Sequence, residues 1–301
     1  MTPVLIFVYN RPKHTQLCLE ALSRNFGAEQ TDVIIYSDGA KAKKDLDSVN
    51  EVRSVCREIK GFRKIDIIER SSNFGLAANI ISGVNEQIQK SGSVIVLEDD
   101  LITSQGFLKY MNESLAFYKN SSIFSICAYS PDIRIPDDYL YSTYLSPRIG
   151  SWGWASWREK WELVDWELLD FNNFIRSRKS RMLFEAGGDD LSIMLLKQKT
   201  GKINSWAVRF AFGCFQAGGT TVYPVKSLIE NSGIDGSGTH MKSSNRYKSQ
   251  ITESIDSGKF CPDKTIKKEI ITQFASYYST SILRKLINMV KLQSFLFRLK
   301  V

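Results

Sequence analysis

The sequence predicts an α/β protein in which a mostly parallel, Rossmann-like sheet is flanked by helices, with a helical appendage at the C-terminus. Over the first hundred residues, short apolar runs typical of buried strands alternate with amphipathic segments typical of helices. Strands that alternate with helices form parallel sheets covered on both faces. Polar residues follow the apolar runs, at the strand ends where ligands of open α/β sheets bind. We therefore expect a ligand site along one edge of the sheet.

The predicted elements follow one another closely. The first apolar run, PVLIFVY, is typical of a strand buried on both faces, and the helix after it has Leu17, Leu19 and Leu22 as core candidates. In chain order, we predict a strand at 3–9, a helix at 11–25, a strand at 32–40, a helix at 47–59, a strand at 64–71, a helix at 77–92 and a strand at 93–100.

The last of these strands runs directly into three acids, Glu98, Asp99 and Asp100. Adjacent carboxylates repel one another, so the arrangement becomes favourable when a cation or hydrogen-bond donors offset the charge. A Mg²⁺ or Mn²⁺ ion fits, because it is usually held by one or two carboxylates and completes its shell with phosphate oxygens. A solvated acidic turn, or a helix N-cap at Asp99 or Asp100, explains the same residues.

Several short motifs occur in an order that resembles the GT-A type of nucleotide-diphospho-sugar glycosyltransferases. Within that type, the chain is similar to the N-acetylglucosaminyltransferase I family and its bacterial relatives. The motifs cover residues 4–242 and are YNRP, SDG, NFGLAANI, VLEDDL, GSWGWASW, GGDDL and GSGTH. The resemblance implies a GT-A fold and a metal-dependent transfer of a hexosyl or N-acetylhexosaminyl group, in the first place from a UDP-sugar.

The resemblance also implies the donor site. Arg11 and Asp38 would contact the nucleoside, where Asp38 could accept the uracil N3 proton, and the acidic motif would hold the sugar nucleotide. The donor-site residues implied in this way are Asn10, Arg11, Asp38, Asn73, Gly75, Leu76, Asn79, Glu98 and Asp99, with Asp100 on a Mn²⁺ or Mg²⁺ ion.

A second acidic pair, Asp189 and Asp190, lies on a glycine-hinged turn that enters a predicted helix. Attack on the far side of the anomeric centre requires a base on the acceptor hydroxyl, and one acid of this turn can supply it. The resemblance favours Asp190 as the base of an inverting transfer, with Asp189 as the alternative. Helix capping by itself also accounts for two acids at this position.

Two further segments are candidates for the site. The glycine-rich loop ENSGIDGSGTH has backbone N–H groups that can face a diphosphate. His240 ends this loop, where it could bind the metal ion or the β-phosphate or be an ordinary loop histidine. Indole rings stack on sugars and also fill cores. We expect Trp152, Gly153 and Trp154 to line the donor or acceptor site, and we expect Trp157 and Trp161 in the core.

The net charge of +8 is concentrated in the C-terminal tail, because no carboxylate side chain follows Glu269. Apolar residues from Ile282 to Val290 recur at helical spacing, with Arg284, Lys285 and Lys291 off that stripe. This pattern is typical of a helix at a membrane surface and equally of a terminal helix packed on the domain. Basic residues interleaved with aromatic ones are missing, which argues against a nucleic-acid partner.

The chain has no apolar run long enough for a membrane-spanning helix, and its first residues lack the basic start of a signal peptide. We therefore expect a cytoplasmic protein, and the membrane-surface interpretation of the tail would place it in peripheral contact with the inner face of the membrane. Its five scattered cysteines predict reduced, structural thiols.

The resemblance, together with the order of the elements, thus predicts a GT-A domain at 1–250 and a helical, basic, amphipathic tail at 251–301. The function implied by the resemblance and the basic tail is sugar transfer to a hydroxyl of a glycan or lipid-linked acceptor in bacterial surface polysaccharide synthesis. The alternatives are a nucleotidyltransferase acting on sugar nucleotides and a non-catalytic protein that binds them. The first alternative would normally begin with a glycine-rich phosphate loop, and VYNRPKHTQ contains no glycine.

Overall fold

A computed structural model describes residues 1–235 and 250–299. The strands are β1 (Val4–Val8), β2 (Asp32–Ser37), β3 (Lys64–Glu69), β4 (Ser93–Glu98), β5 (Leu101–Thr103), β6 (Ile123–Cys127), β7 (Thr143–Ser146), β8 (Trp154–Trp157), β9 (Thr220–Pro224) and β10 (Ile229–Asn231). The α-helices are α1 (Pro12–Ser23), α2 (Leu46–Glu58), α3 (Leu76–Ser91), α4 (Phe107–Phe117), α5 (Arg158–Trp161), α6 (Phe171–Arg176), α7 (Arg178–Phe184), α8 (Leu191–Lys199), α9 (Trp206–Gln216), α10 (Lys268–Tyr277) and α11 (Ile282–Arg298).

Eight strands form the main sheet, in the order β3-β2-β1-β4-β8-β6-β9-β7. The first four strands in the chain are all parallel, as predicted. Strand β8 is antiparallel to both β4 and β6, so β6 runs in the same direction as β4, and β9 is parallel to β6. The carboxyl ends of β1–β4, β6 and β9 therefore lie along one edge of the sheet.

The sheet separates two hydrophobic cores, which explains the continuous apolar runs of its central strands. In β1, Val4, Ile6 and Val8 face one core, while Leu5 and Phe7 face the other. Helices α1, α2, α4 and α10 contribute to the first core, and helices α3 and α6–α9 contribute to the second. The predicted α/β fold with helices on both faces is confirmed.

Helix α1 corrects one predicted core residue. Cys18, Leu19 and Leu22 are fully buried and lie at helical spacing with the buried Thr15, whereas 43% of Leu17 is exposed. Leu17 is one residue away from this stripe, so the turn of the helix carries its side chain to the outer surface.

The segment that follows residue 250 belongs largely to the main domain. Phe260, Cys261, Ile270 and Phe274 are at most 5% exposed and are part of the first core. Phe274 of α10 packs against Tyr223 of β9, with ring centroids 5.0 Å apart. These contacts favour a boundary later than the predicted one at 250, and we propose that the appendage starts at α11.

Helix α11 is attached through its C-terminal half. Leu292, Phe295, Leu296 and Leu299 pack against the second core, and Arg176 donates a hydrogen bond of 3.0 Å to the carbonyl oxygen of Leu299. The apolar residues of the N-terminal half are exposed. In the part of the chain that the structure describes, no helix is both long and apolar enough to cross a membrane.

Candidate active site

The predicted donor-site residues come together at the carboxyl edge of the sheet. Asn10 and Arg11 follow β1, Asp38 follows β2, and the acids Glu98–Asp100 end and follow β4. Strands β1 and β4 are neighbours, although two other strands lie between them in the chain. After β1, the chain adds β2 and β3 on one side of β1 and then crosses over to form β4 on its other side. Ligands of open α/β sheets bind where the strand order reverses in this way.

Arg11 lies in the middle of the acidic cluster at this position. Its guanidinium forms an ion pair with Asp99 and another with Asp100, whose N–O distance is 2.9 Å. We expect Arg11 to contact the nucleoside, but its Nη2 group donates to these two acids instead. The N-cap alternative for the acids is wrong, because they are followed by β5, and α4 begins only at Phe107.

Burial changes the electrostatics of the cluster. Burial raises the pKa of Asp99 to about 6, although the charge of Arg11 partly offsets it. Burial, with the charges of Asp100 and Asp99, raises the pKa of Glu98 to about 8. Burial opposes ionisation of Arg11 too, but the two aspartates hold its pKa above the usual value. The raised pKa values indicate that one guanidinium does not fully offset the cost of ionising these buried acids.

The donor set fits a hard divalent cation in part. Carboxylate oxygens are the preferred ligands of Mg²⁺ and Mn²⁺, and among the described residues no hydrogen-bond donor contacts the carboxylate of Glu98. Among the described residues, the buried Nη1 of Arg11 has no hydrogen-bond partner, which indicates that the cluster has polar capacity left for an oxygen-rich ligand. Residues 1–235 and 250–299 do not by themselves assemble three metal-binding side chains. Phosphate oxygens and water would have to complete the shell.

The glycine-rich loop starts at the same cluster. The backbone N–H and the hydroxyl of Ser232 donate to the carbonyl oxygen of Asp100 at 2.8 and 3.0 Å. Gly233 lies directly against Asp100 and Arg11, so a larger residue there would overlap the carboxylate. His240 and the GSGTH motif lie outside the described residues.

Asp38 organises the loop after β3 and is not a free acceptor. It is 4% exposed, and each of its carboxylate oxygens accepts two hydrogen bonds. The donors are the backbone N–H groups of Gly39, Phe74 and Gly75, at 2.8–2.9 Å, and the side-chain amide of Asn73, at 3.2 Å. A uracil N3–H group would have to displace one of them, so we correct the expected role of Asp38.

The rest of this loop divides into buried and exposed positions. Asn79 is 2% exposed and accepts a hydrogen bond of 3.2 Å from Arg70, so its side chain has a structural partner rather than a free face. Leu76 and Phe74 are 42% and 41% exposed, and the Arg70 guanidinium lies 4.7 Å from the centroid of the Phe74 ring. The exposed ring of Phe74 provides a flat surface for a nucleobase.

The tryptophan motif has one residue at the edge and three in the core. Trp154 is 1% exposed and stacks on Trp206 at 4.9 Å and on Trp161 at 5.7 Å, so it does not fit the expected contact with a sugar. Trp157 and Trp161 are buried, as predicted. Trp152 is only partly buried and contacts Tyr129, with ring centroids 4.6 Å apart.

Gly153 holds this motif against the strand beside it. Its φ of +59° favours glycine, and a Cβ atom there would overlap Ile229. Its carbonyl oxygen accepts a hydrogen bond of 2.8 Å from Ala128, directly after β6. Gly153 thus fixes the approach of Trp152 to the carboxyl edge.

The two acids of the second pair have different partners. Asp190 forms a bidentate pair with Arg148, with N–O distances of 2.6 and 3.0 Å. The Arg148 guanidinium lies 4.1 Å from the centroid of the Tyr278 ring. Asp189 instead accepts hydrogen bonds from the segment between α10 and α11. Asp190 is therefore the only acid of this pair that is not bound to the tail.

Aromatic residues connect this turn with the carboxyl edge. The rings of Tyr278 and Tyr277 are 5.0 Å apart, and the hydroxyl groups of Tyr277 and Tyr129 are 3.1 Å apart. Tyr129 follows β6 and contacts Trp152. Across the described ranges, however, no hydrogen bond or ion pair joins Asp190 directly to the acids after β4.

A half-open cavity of about 470 Å³ lies beside Tyr129, beyond the carboxyl ends of β6 and β9. It is lined by residues 130–135, 225–227 and 250, among them Asp132, Arg134 and Lys226. Its volume is within the range of small-molecule sites. The cavity therefore lies at the half of the carboxyl edge formed by β6 and β9, whereas the acidic cluster lies at the half formed by β1 and β4.

Sequence reasoning missed Arg148, Tyr129 and Phe74. Arg148 had one available signal, since it is an isolated basic residue at the start of the glycine- and tryptophan-rich segment. Its acidic partner Asp190 is 42 residues away, and no local pattern predicts such a pairing.

No protein-family model matches the chain, and no curated protein matches it by sequence. Solved structures show a distant likeness. The mannosyltransferase PcManGT from Pyrobaculum calidifontis, in complex with GDP-Man and Mn²⁺, is 14% identical over 52% of this chain and 44% of that chain, with a TM-score of 0.37. TarS 1-349 from S. aureus, in complex with UDP-GlcNAc, is 12% identical over 76% of this chain and 58% of that chain, with a TM-score of 0.38.

Mouse xyloside xylosyltransferase 1, in its apo form, is 13% identical over 72% of this chain and 82% of that chain, with a TM-score of 0.39. The likeness spans less than two thirds of the mannosyltransferase and TarS chains. At these identities and TM-scores, it identifies neither the donor nor the reaction of this chain.

Proposed function

We propose that this chain is a metal-dependent glycosyltransferase that moves a sugar from a nucleotide-diphospho-sugar, in the first place a UDP-sugar, to a hydroxyl of a glycan or lipid-linked acceptor. The observation that carries the proposal is the cluster of Arg11 with Asp99 and Asp100 at the reversal of strand order between β1 and β4. A cluster of three acids with one guanidinium favours an added cation, and a diphosphate favours the same cation.

In this proposal, Asp100 and Glu98 would hold a Mn²⁺ or Mg²⁺ ion, which would supply positive charge to the diphosphate leaving group. Arg11 would donate to the diphosphate through its Nη1 group, which has no partner among the described residues. Asn10 has no side-chain hydrogen-bond partner among the described residues and faces the same edge. The loop that Asp38 holds, with the exposed Phe74 ring, forms the nucleoside side of the site.

We assign Asp190 as the general base of an inverting transfer. Arg148 binds both of its oxygens, which fixes the orientation of the carboxylate and leaves each oxygen a second lone pair for the acceptor hydroxyl. The acceptor would enter through the cavity beside Tyr129. Exposed apolar and basic residues of α11 fit contact with an anionic membrane, where lipid-linked acceptors of surface polysaccharide synthesis lie.

Donor binding tests the proposal directly. Thermal shift with UDP-GlcNAc should show stabilisation of the wild-type chain in the presence of Mn²⁺, because a ligand bound only by the folded state raises its stability by mass action. Asp100→Ala should abolish the metal-dependent part of the shift, whereas Asp47→Ala, at an exposed position on α2, should retain it.

Turnover separates an enzyme from a binding protein. Wild-type chain should hydrolyse the sugar nucleotide slowly or transfer its sugar, and Asp190→Asn should reduce transfer by roughly 10²–10⁴-fold with donor binding unchanged. Metal-independent binding that is equal in wild type and Asp100→Ala would contradict the metal site. Binding without any turnover would support the non-catalytic alternative.

A further inference from the structure

Asp189 ties the start of α11 to the acidic turn. Its carboxylate accepts hydrogen bonds of 2.8 Å from the hydroxyl of Ser279 and of 2.9 Å from both the backbone N–H and the hydroxyl of Thr280. Lys285, in the first turn of α11, contributes an ion pair with an N–O distance of 2.8 Å. We call this set of contacts between Asp189 and residues 279, 280 and 285 the latch.

The latch adjoins the residue that we assign as the base. Asp190 follows Asp189 directly, and its partner Arg148 lies on the ring of Tyr278, next to Ser279. Gly188 precedes both acids with a φ of +143°, and a Cβ atom there would approach Arg148 at 2.7 Å and Tyr278 at 2.8 Å. The acidic turn and the start of α11 therefore cannot move far independently of each other.

Beyond the latch, α11 presents an apolar surface that no other described part of the chain covers. Ile282, Leu283, Leu286, Met289 and Val290 are 49–79% exposed. Basic residues flank this face, and the chain has no acidic side chain after Glu269. An exposed apolar stripe with only basic charges around it is complementary to an anionic lipid surface, whereas a second copy of α11 would bring like charges together.

Two anionic partners thus compete for Lys285. In solution it pairs with Asp189, and at an anionic surface it would lie among lipid phosphates, which attract it while they repel Asp189. Although burial opposes it, hydrogen bonds from Lys285, Thr280 and Ser279 lower the pKa of Asp189 to about 2. Asp189 therefore stays ionised at any physiological pH and competes under all those conditions.

We propose that α11 docks on an anionic lipid surface and that Lys285 exchanges between Asp189 and lipid phosphate, so that docking loosens the latch beside Asp190. Asp189 is then a positioning residue that couples membrane binding to the candidate active site. The coupling to the site rests on the proposed function, whereas docking and the exchange of Lys285 do not.

Vesicle binding tests the exchange without any need for enzymatic activity. Affinity for vesicles containing about 30% phosphatidylserine should rise about five-fold in Asp189→Asn, the factor expected when one basic residue becomes available to an anionic surface. Asp47→Asn removes the same charge from an exposed position on α2 and should change the affinity by much less. In a chain that already carries Lys285→Gln, Asp189→Asn should no longer raise the affinity for vesicles.

Hydrogen exchange supplies the second measurement. Residues 280–286 should exchange faster in Asp189→Asn than in wild type without lipid, and vesicles should produce the same acceleration in wild type. Equal vesicle affinities of Asp189→Asn and Asp47→Asn, or an undiminished effect in the Lys285→Gln background, would overturn the exchange. Absence of vesicle binding by wild type, with dimers at high concentration, would instead assign the apolar face to a second copy of the chain. Loss of sugar transfer alone affects none of these results.

Discussion

At the scale of single residues, the acids after β4 are held in a state that costs stability. Glu98 and Asp99 have pKa values of about 8 and about 6, above the values of about 4 that are usual for such groups in an unfolded chain. The folded state therefore takes up protons before the unfolded state does as the pH falls. The free energy of unfolding should rise when the pH is lowered from about 8.5 to about 5.

Replacement of Glu98 by glutamine tests this dependence. Glu98→Gln removes one of three adjacent charges, so it should stabilise the chain at pH 8.5 by on the order of 1–2 kcal/mol and flatten the pH dependence. Urea denaturation at several pH values measures both effects. Glu159→Gln, at an exposed position on α5, is the control and should leave the pH profile unchanged. A profile of Glu98→Gln that parallels wild type would refute the assigned pKa of Glu98.

Which residues reach the edge of the sheet could be predicted from the sequence, but their partners could not. The positions of Asn10, Arg11 and Asp38 follow from strand ends, which apolar runs mark. Arg11 pairs with acids 88 and 89 positions away, and Trp154 stacks on Trp206 in the core. Such contacts depend on the packing of whole elements, because short motifs look the same whether their side chains point outward or inward.

At the scale of elements, the loop between β3 and α3 depends on one carboxylate at the end of β2. Asp38 accepts from three backbone N–H groups and one amide, so its oxygens replace hydrogen bonds that the loop cannot make with strands. If Asp38 were mainly a ligand group, its loss would reduce donor binding and leave the fold unaffected. The contacts indicate instead that loss of Asp38 would reduce the stability of the fold more than it reduces donor binding.

Asp38→Asn distinguishes these roles. The amide turns an NH₂ group toward N–H donors, which leaves buried donors unpaired and should cost about 1–3 kcal/mol of stability. Asp32→Asn, at the other end of β2, breaks a more exposed pair with Arg63 and should cost less than about 1 kcal/mol. Urea denaturation of both variants gives the comparison. Equal losses, or weakened donor binding in Asp38→Asn at unchanged stability, would restore the nucleoside role.

At the scale of the whole molecule, the domain boundary predicted at 250 depends on a question that amphipathic patterns leave open. Helices α10 and α11 both carry apolar residues at helical spacing, and both lie in the basic C-terminal region. Ile270 and Phe274 of α10 are buried, whereas Ile282 and Leu283 of α11 are 79% and 69% exposed. The apolar spacing is compatible with a helix in both segments. It does not show that α10 is buried, because that depends on its contacts with β7 and β9, which are remote in sequence.

Two phenylalanines of the C-terminal region test where the domain ends. Phe274 is 0% exposed and contacts Tyr144 of β7 and Tyr223 of β9, so Phe274→Ala should leave a cavity and cost about 3–5 kcal/mol. Phe297, on α11, is 72% exposed, and Phe297→Ala should change stability by less than about 0.5 kcal/mol. The same side chain is removed in both variants, so the difference in urea denaturation reports position alone. Small, equal losses would mean that residues 251–301 form one tail after all, and the boundary at 250 would stand.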